Sequence, residues 1–442
     1  MYKKVTVILN YLIAILLLFA GNSLATSQSF SLDDMVDLAL KNNPQLEMAR
    51  SQIFADKGIL TQARSLYLPH LGAGADYGRL HLDDLQPVEE DNSVHGLLQV
   101  SQLIYGFGKV TGLVDASSFV VEASNENYRE VANNIVYQTK ALFYNVLEKH
   151  RLITVSEQAV TNYEQQLERA QAFFKTGVRT RLDVTNAEVN LSTQQLNLLR
   201  ARSDLKVARI NLEKVVGTKP ADGDYDLISN EPTLETILNE KPAMPGDLDM
   251  LLEEAFDNRP GLKQYTSLVQ AADSSITHVR GDYWPTVNAY GNYEKYETDL
   301  PTLVDQWYLG VGLTWELFSG FETEGKVAEA KANLRKVQAA LKDYELTVIQ
   351  ETTDSYLRAD ENNQAITIAA QRLELSADNL DLAEVRYTTG IGNLLEFNDA
   401  QLLNIESQSH MVITYYNYLT SLALIEKSTG VSPHLDGVDI TH

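Results

Sequence analysis

The chain carries one pattern twice, and a duplicated unit constrains the architecture before any single motif does. Leu32 to Met35, followed by Asn42, Asn43, Pro44, Gln45 and Leu46, matches Leu248 to Leu251, followed by Asn258, Arg259, Pro260, Gly261 and Leu262, with Pro44 and Pro260 216 residues apart. Tyr67, Leu68 and Pro69 match Tyr283, Trp284 and Pro285 at the same offset, as does Tyr77 with Tyr293. Further on, Phe174 to Gly177 matches Tyr387 to Gly390, and Val216-Gly217 matches Thr429-Gly430, both at an offset of 213. The spacing changes between the two strand pairs proposed below, where a loop can shorten without harm.

Proline placement separates helical from non-helical territory, because each proline costs a helix interior about 3 kcal/mol. All 11 prolines lie outside residues 88–219 and 302–432. Within those stretches, residues 109–216 and 322–429 contain few glycines, chiefly Gly112 and Gly177 in one and Gly325, Gly390 and Gly392 in the other. Each reads as a helical hairpin that turns at Gly177 or Gly390, where a left-handed backbone ends one helix. A run from Lys109 to Thr176 makes on the order of 100 Å of helix at ~1.5 Å per residue, too long to be buried in a globule. It must pack along neighbours. Heptads agree: Val184, Leu191, Leu198, Leu205 and Leu212 recur every seven residues, with Ala187, Ala201, Ala208 and Val215 on the second seam and Gln194 interrupting it. The second copy keeps Phe397, Met411, Tyr418 and Ile425, with Asn404 out of pattern, beside small Ala400, Ser407, Thr414 and Ser421. This stripe is packing and carries no chemistry.

A pair of alternating segments precedes each hairpin, near residues 69–107 and 285–318. In the clearest, Trp307, Leu309, Val311, Leu313, Trp315 and Leu317 point one way, and Tyr308, Gly310, Gly312, Thr314 and Glu316 the other. Val287, Ala289 and Tyr293 alternate with polar neighbours, as do Leu71, Ala73, Ala75 and Tyr77, while Leu98, Val100 and Ile104 give a weaker fourth strand. A soluble half-buried sheet alternates in the same way. Here, however, four strands followed by very long helices leave nothing in the chain to cover the apolar face, and lipid can. The pattern is that of transmembrane strands, lipid-facing at Trp307, Leu309, Val311, Leu313 and Trp315. Four strands leave two open edges, which hydrocarbon does not tolerate, so several subunits must complete a shared barrel.

The N-terminus reads as a cleavable signal: Lys3 and Lys4, an apolar run from Val5 to Ala20 broken by Asn10, then Ser23-Leu24-Ala25, with the mature chain beginning near Thr26. A membrane anchor is the competing reading, but the run falls short of the ~20 apolar residues a bilayer needs. The expected divisions are a signal at 1–25, a first repeat at 26–217, an irregular linker at 218–247 holding Pro220, Pro232, Pro242 and Pro245, a second repeat at 248–430 and a tail at 431–442. With no cysteine, disulfide, lipoprotein and zinc-finger chemistry are excluded. The formal charge is −24 and becomes −26 once Lys3 and Lys4 leave with the signal. That charge repels nucleic acid and suits cationic or neutral passengers if a pore is enclosed; an acidic solvated surface reads the same. The inter-strand loops carry Asp83, Asp84, Glu89, Glu90, Asp91, Glu297 and Asp299, and His81 and His95 flank the first without any recognisable metal-ligand spacing. No metal, cofactor or catalytic constellation is indicated.

The duplication, the Leu-Pro and Trp-Pro strand entries, Tyr105-Gly106-Phe107-Gly108 with Phe318-Ser319-Gly320-Phe321 at the strand exits, and the turns Thr176-Gly177-Val178 and Thr389-Gly390-Ile391 together resemble the TolC-like outer-membrane efflux family over residues 32–430. The resemblance implies a mostly α fold with a transmembrane β-barrel: a homotrimer with a twelve-stranded barrel in outer-membrane lipid and a helical tunnel through the periplasm. It implies a non-enzymatic exit duct for tripartite efflux or type I secretion. Its helix turns would dock a periplasmic adaptor (membrane fusion) protein tied to an inner-membrane pump of RND or ABC type. It places the closing aperture at Asp183, Asn186, Tyr387, Glu396 and Asp399. Glu396 and Asp399, three apart, can face one axis and form stacked acidic rings when repeated three-fold. Gly392 stands where relatives often carry a basic residue, whereas Arg179 stands at the equivalent place in the first copy. A periplasmic coiled-coil scaffold with a soluble sheet, which needs no detergent, and an envelope hydrolase, which needs an acid/base pair, are the alternatives.

Overall fold

A computed structural model describes residues 28–80, 91–219, 225–228, 232–297 and 304–431. The signal segment, the loop residues Asp83, Asp84, Glu89, Glu90, Asp299 and His81, Pro220 in the linker, and all of the tail except Val431 lie outside the described residues. In chain order the elements are β1 (Gln28–Phe30), α1 (Leu32–Asn42), α2 (Pro44–Ser65), β2 (His70–Leu80), β3 (Asp91–Tyr105), α3 (Lys109–Lys175), α4 (Arg181–Val216), β4 (Tyr225–Leu227), α5 (Ile237–Glu240), α6 (Leu248–Asn258), α7 (Pro260–Arg280), β5 (Thr286–Glu297), β6 (Val304–Thr314), α8 (Glu322–Thr388) and α9 (Leu394–Thr429). Helices dominate. Both α3 and α8 have 67 residues, and both α4 and α9 have 36. No helix among the described residues is long and apolar enough to cross a membrane.

The chain divides into two compact units. One takes in the described residues of Met1–Ala39, Leu142–Glu240 and Leu373–Val412; the other takes in those of Leu40–Ala141, Lys241–Arg372 and Ile413–His442.

The first unit holds the turns of both long hairpins. Buried Ala383, Tyr387, Leu394, Phe397 and Ala400 form one core cluster, and Ala170, Val184 and Ala187 form another. The alanines let helix backbones approach while Tyr387 and Phe397 fill the remaining volume. This unit also corrects the expectation of an irregular linker. Residues 225–227 form β4, which pairs in parallel with β1 at residues 28–30, and Ile228 N–H donates to Phe30 O at 2.9 Å. A three-residue strand whose partner lies nearly 200 residues away in sequence leaves no local signal.

The second unit holds the large sheet, ordered β2-β3-β5-β6 with every pairing antiparallel. Aligned registers put Leu71, Val100, Gly291 and Leu309 in one row and Ala73, Leu98, Tyr293 and Trp307 in the next. Both rows lie on the apolar face. Trp307 is 75% exposed and Leu309 74%, and β2 and β6 each present an unpaired edge. Two strand expectations need correction. β3 is the longest strand, and a bulge between Leu103 and Tyr105 breaks its phase. An inserted residue shifts the side-chain alternation by one, so Tyr105 joins the row of Val287 and Leu313, and Ile104 does not. β6 ends at Thr314, leaving Trp315 and Leu317 beyond it; the Trp315 indole instead donates to Tyr283 O at 3.2 Å.

In the same unit, α3 and α7 cross at Gly112, where a Cβ would stand 2.4 Å from the backbone N of His278 and 2.8 Å from Ser274 O. Contacts this short with helix backbone cannot be relieved by turning a side chain. Gly112→Ala is therefore expected to force the two helices apart and destabilise the protein by about 1–3 kcal/mol, read as a lower melting temperature of the purified protein.

Candidate functional site

The candidate site is built from the two hairpin turns. α3 ends at Gly177 (φ +78°), whose N–H donates to Phe174 O at 3.1 Å while Val178 N–H donates to Phe173 O at 2.9 Å. This paired arrangement satisfies the last carbonyls of a helix. α4 then starts with a reciprocal cap: Asp183 accepts from Thr180 N–H at 2.9 Å, and Asp183 N–H donates to Thr180 Oγ1 at 3.4 Å. Asp183 is thus engaged in starting the helix. In the second turn Gly390 (φ +80°) donates to Tyr387 O at 3.2 Å and Gly392 N–H to Arg386 O at 2.7 Å. A Cβ on Gly392 would lie 3.0 Å from the Arg386 Cβ and 3.1 Å from its carbonyl carbon, so the tight turn explains the missing side chain. Asn393 caps α9 by accepting from Glu396 N–H at 2.8 Å.

Arg179 ties the two turns together. Its guanidinium lies 5.0 Å from the centre of the Tyr387 ring and donates to Gly392 O at 3.3 Å. Tyr387 is 1% exposed, parallel to Phe397 at 5.4 Å and edge-on to Phe173 at 6.3 Å. Burial raises the pKa of its hydroxyl, and Arg179 opposes that rise. Of the residues the sequence points to, Tyr387 therefore sits in the packed core of the turns rather than on a surface.

Asn186, Glu396 and Asp399 are exposed, and Glu396 accepts from Arg386 Nε at 2.9 Å. Thr176, Gly177, Val178, Thr389, Gly390 and Ile391 are all exposed at the turn tips. Phe173, Phe397 and Arg179 complete the site without having been singled out as its members. For Arg179 the signal was available, since the 213-residue offset places it opposite Gly392. Among the described residues, no group of three or more His, Asp or Glu side chains could hold a metal ion.

Leu309, Val311 and Leu313 stand exposed in a row on β6 with Trp307, while Trp315 lies just past the strand end. This is a second surface that the fold leaves uncovered.

A family model described as "Outer membrane efflux protein" matches residues 35–218 and 251–431. Outer membrane protein TolC of Escherichia coli (strain K12) is 23% identical over 419 residues, covering 91% of this chain and 83% of the relative. Alkaline protease secretion protein AprF of Pseudomonas aeruginosa is 22% identical over 416 residues, covering 91% and 85%. The solved structure of the Campylobacter jejuni CmeC outer membrane channel superposes with a TM-score of 0.80 at 19% identity, covering 90% of this chain and 85% of that one. At that identity the superposition shows a shared fold.

Proposed function

The chain belongs to the outer membrane efflux protein family, and on that footing we propose that three copies close a twelve-stranded barrel in the outer membrane and continue it as a helical tunnel into the periplasm. The protein is an outer-membrane channel subunit that serves efflux or type I secretion as a passive duct, with the driving force supplied elsewhere. One observation carries the reading: a four-stranded sheet whose apolar face is bare and whose two edges are unpaired. Lipid covers such a face, and copies of the same sheet pair such edges. The helices support it. Leu182, Val189 and Leu196 on α4 recur every seven residues, as do Leu375 and Leu382 on α8 and Leu395 and Leu402 on α9, and all are exposed. Apolar heptads of this kind suit packing against neighbouring helices.

The equal helix lengths support two copies of one unit, with the signal removed near Thr26 and residues 218–247 joining the copies. The exposed apolar tips Val178 and Ile391, with their flanking threonines and glycines, suit docking of a periplasmic adaptor tied to an inner-membrane pump. Glu396 and Asp399 form the acidic aperture, and Arg179 holds the turns that carry them.

Planar-bilayer recordings test this part. Changing Glu396 and Asp399 together to alanine is expected to weaken cation preference and raise the conductance of the resting channel. Arg179→Ala is expected to raise resting conductance while leaving ion preference in place. Recordings indistinguishable from the native channel would refute the aperture assignment and leave the barrel intact.

A further inference from the structure

The two copies of the repeat share one local geometry. His70 pairs with Ser101 as Thr286 pairs with Thr314, so β2 corresponds to β5 at an offset of 216 residues and β3 to β6 at an offset of 213. The Gln102 amide and the Trp315 indole, also 213 apart, donate to the carbonyls of the matching Tyr67 and Tyr283. The first copy docks on the second in two places. β3 pairs with β5, and α3 crosses α7 where Gly112 lies against the backbone of Ser274 and His278.

The same offsets put Gly325 of α8 in the place of Gly112, and Gly58 and Gln62 of α2 in the places of Ser274 and His278. Both glycines are exposed, and among the described residues a Cβ on either would meet no atom within 4 Å. Glycine weakens a helix relative to alanine, and neither position has a close neighbour that calls for it. The edges of β6 and β2 are open in the same way. We infer, resting on the shared barrel proposed above, that each copy docks on the next as its own two halves dock. Gly325 on α8 crosses α2 of the next copy at Gly58, and β6 pairs antiparallel with that copy's β2. The register follows: Val100 opposite Gly291 and Leu98 opposite Tyr293 become Leu313 opposite Ala75 and Val311 opposite Tyr77. One position differs, since Gly281, where a Cβ would stand 2.7 Å from the Lys109 Cβ, is matched by Ser65. The crossing between copies is therefore wider toward the strands and narrowest at the paired glycines.

The chain has no cysteine, so a disulfide between introduced residues reads the register directly. Opposed residues on antiparallel strands hold their Cβ atoms about 4.5–5.5 Å apart, near disulfide reach, and residues displaced by two about 7–8 Å apart. Ala75→Cys with Leu313→Cys is expected to give three covalently linked chains when outer-membrane extracts are oxidised, released again on reduction. The yield is expected to exceed that of Ala73→Cys or Tyr77→Cys with Leu313→Cys at least tenfold. Gly58→Leu and Gly325→Leu are each expected to lower recovery of detergent-resistant oligomer at least tenfold, although leucine is the better helix former; they keep the test decisive if the cysteine variants do not assemble. Equal or greater linkage at a displaced pair, or native recovery of the leucine variants, would overturn the seam. Native mass spectrometry of the unsubstituted protein separates the two claims: an oligomer whose variants give either of those results overturns the seam alone, whereas a monomer overturns the barrel reading as well.

Discussion

Leu309→Arg is expected to abolish assembly in the outer membrane, whereas Tyr308→Arg, one residue away, is expected to assemble. Leu309 sits at the middle of β6, 74% exposed on the apolar face. An arginine on the lipid face at mid-membrane costs about 2–4 kcal/mol, and three subunits would each bear that cost in one barrel. Tyr308 points to the opposite side, where it stacks on Tyr290 at 5.5 Å and its ring fills the space over Gly310. The measurement is the fraction of protein recovered as detergent-resistant oligomer from outer-membrane extracts. Equal recovery of the two variants would mean that the row of Leu309, Val311 and Leu313 does not meet lipid.

The second large effect is expected at Arg259, whose side chain is 3% exposed. Its guanidinium pairs with Glu351 and lies 3.6 Å from Glu130 and 5.5 Å from the centre of the Tyr344 ring. Gly261 is needed beside it, since a Cβ there would meet the Tyr344 hydroxyl at 2.0 Å. In the first copy the matching Asn43 simply caps α2 by accepting from Gln45 N–H at 2.8 Å; Arg259 makes no cap and serves the ion-pair network instead. Arg259→Ala leaves Glu130 and Glu351 without their cation; because both carboxylates, 23% and 42% exposed, keep contact with water, the cost is about 1.5–3 kcal/mol, that of a lost charged hydrogen bond. Thermal melting should show it, and a melting temperature within about a degree of native would contradict the account.

The same network gives an alkaline signature. Burial, reinforced by Glu130 and opposed by Arg259, pushes the Tyr344 hydroxyl up to about 12. The folded state therefore holds this proton more tightly than the unfolded chain, whose tyrosine titrates near 10. The contribution is fully present below about pH 10 and lost as pH rises toward 12. Tyr344→Phe is expected to reduce that alkaline loss.

Much of this architecture was legible because its determinants are long and repetitive. The prolines at either end of residues 88–219 and 302–432 bracket the long helices, and Gly177 and Gly390 mark the turns by the backbone angle each must adopt. Alternation along Trp307 to Leu313 marked the apolar row that the structure leaves exposed. What escaped depends on contacts between distant residues. The β1–β4 pairing joins two segments too short to show periodicity, and the bulge before Tyr105 leaves no residue that announces it. Trp315 keeps the alternation but trades its strand position for a hydrogen bond to Tyr283. The family resemblance singled out Glu396, Asp399 and Tyr387, but it did not reveal that Tyr387 turns inward onto Phe397 or that Arg179 crosses to the second turn.

Native mass spectrometry of the detergent-solubilised protein tests the central claim most directly, because the proposed barrel closes only if copies of the four-stranded sheet pair edge to edge. The expected result is a single species of three chains that persists until the detergent micelle is removed. A stable monomer, folded and soluble without detergent, would contradict the shared barrel and the duct built on it.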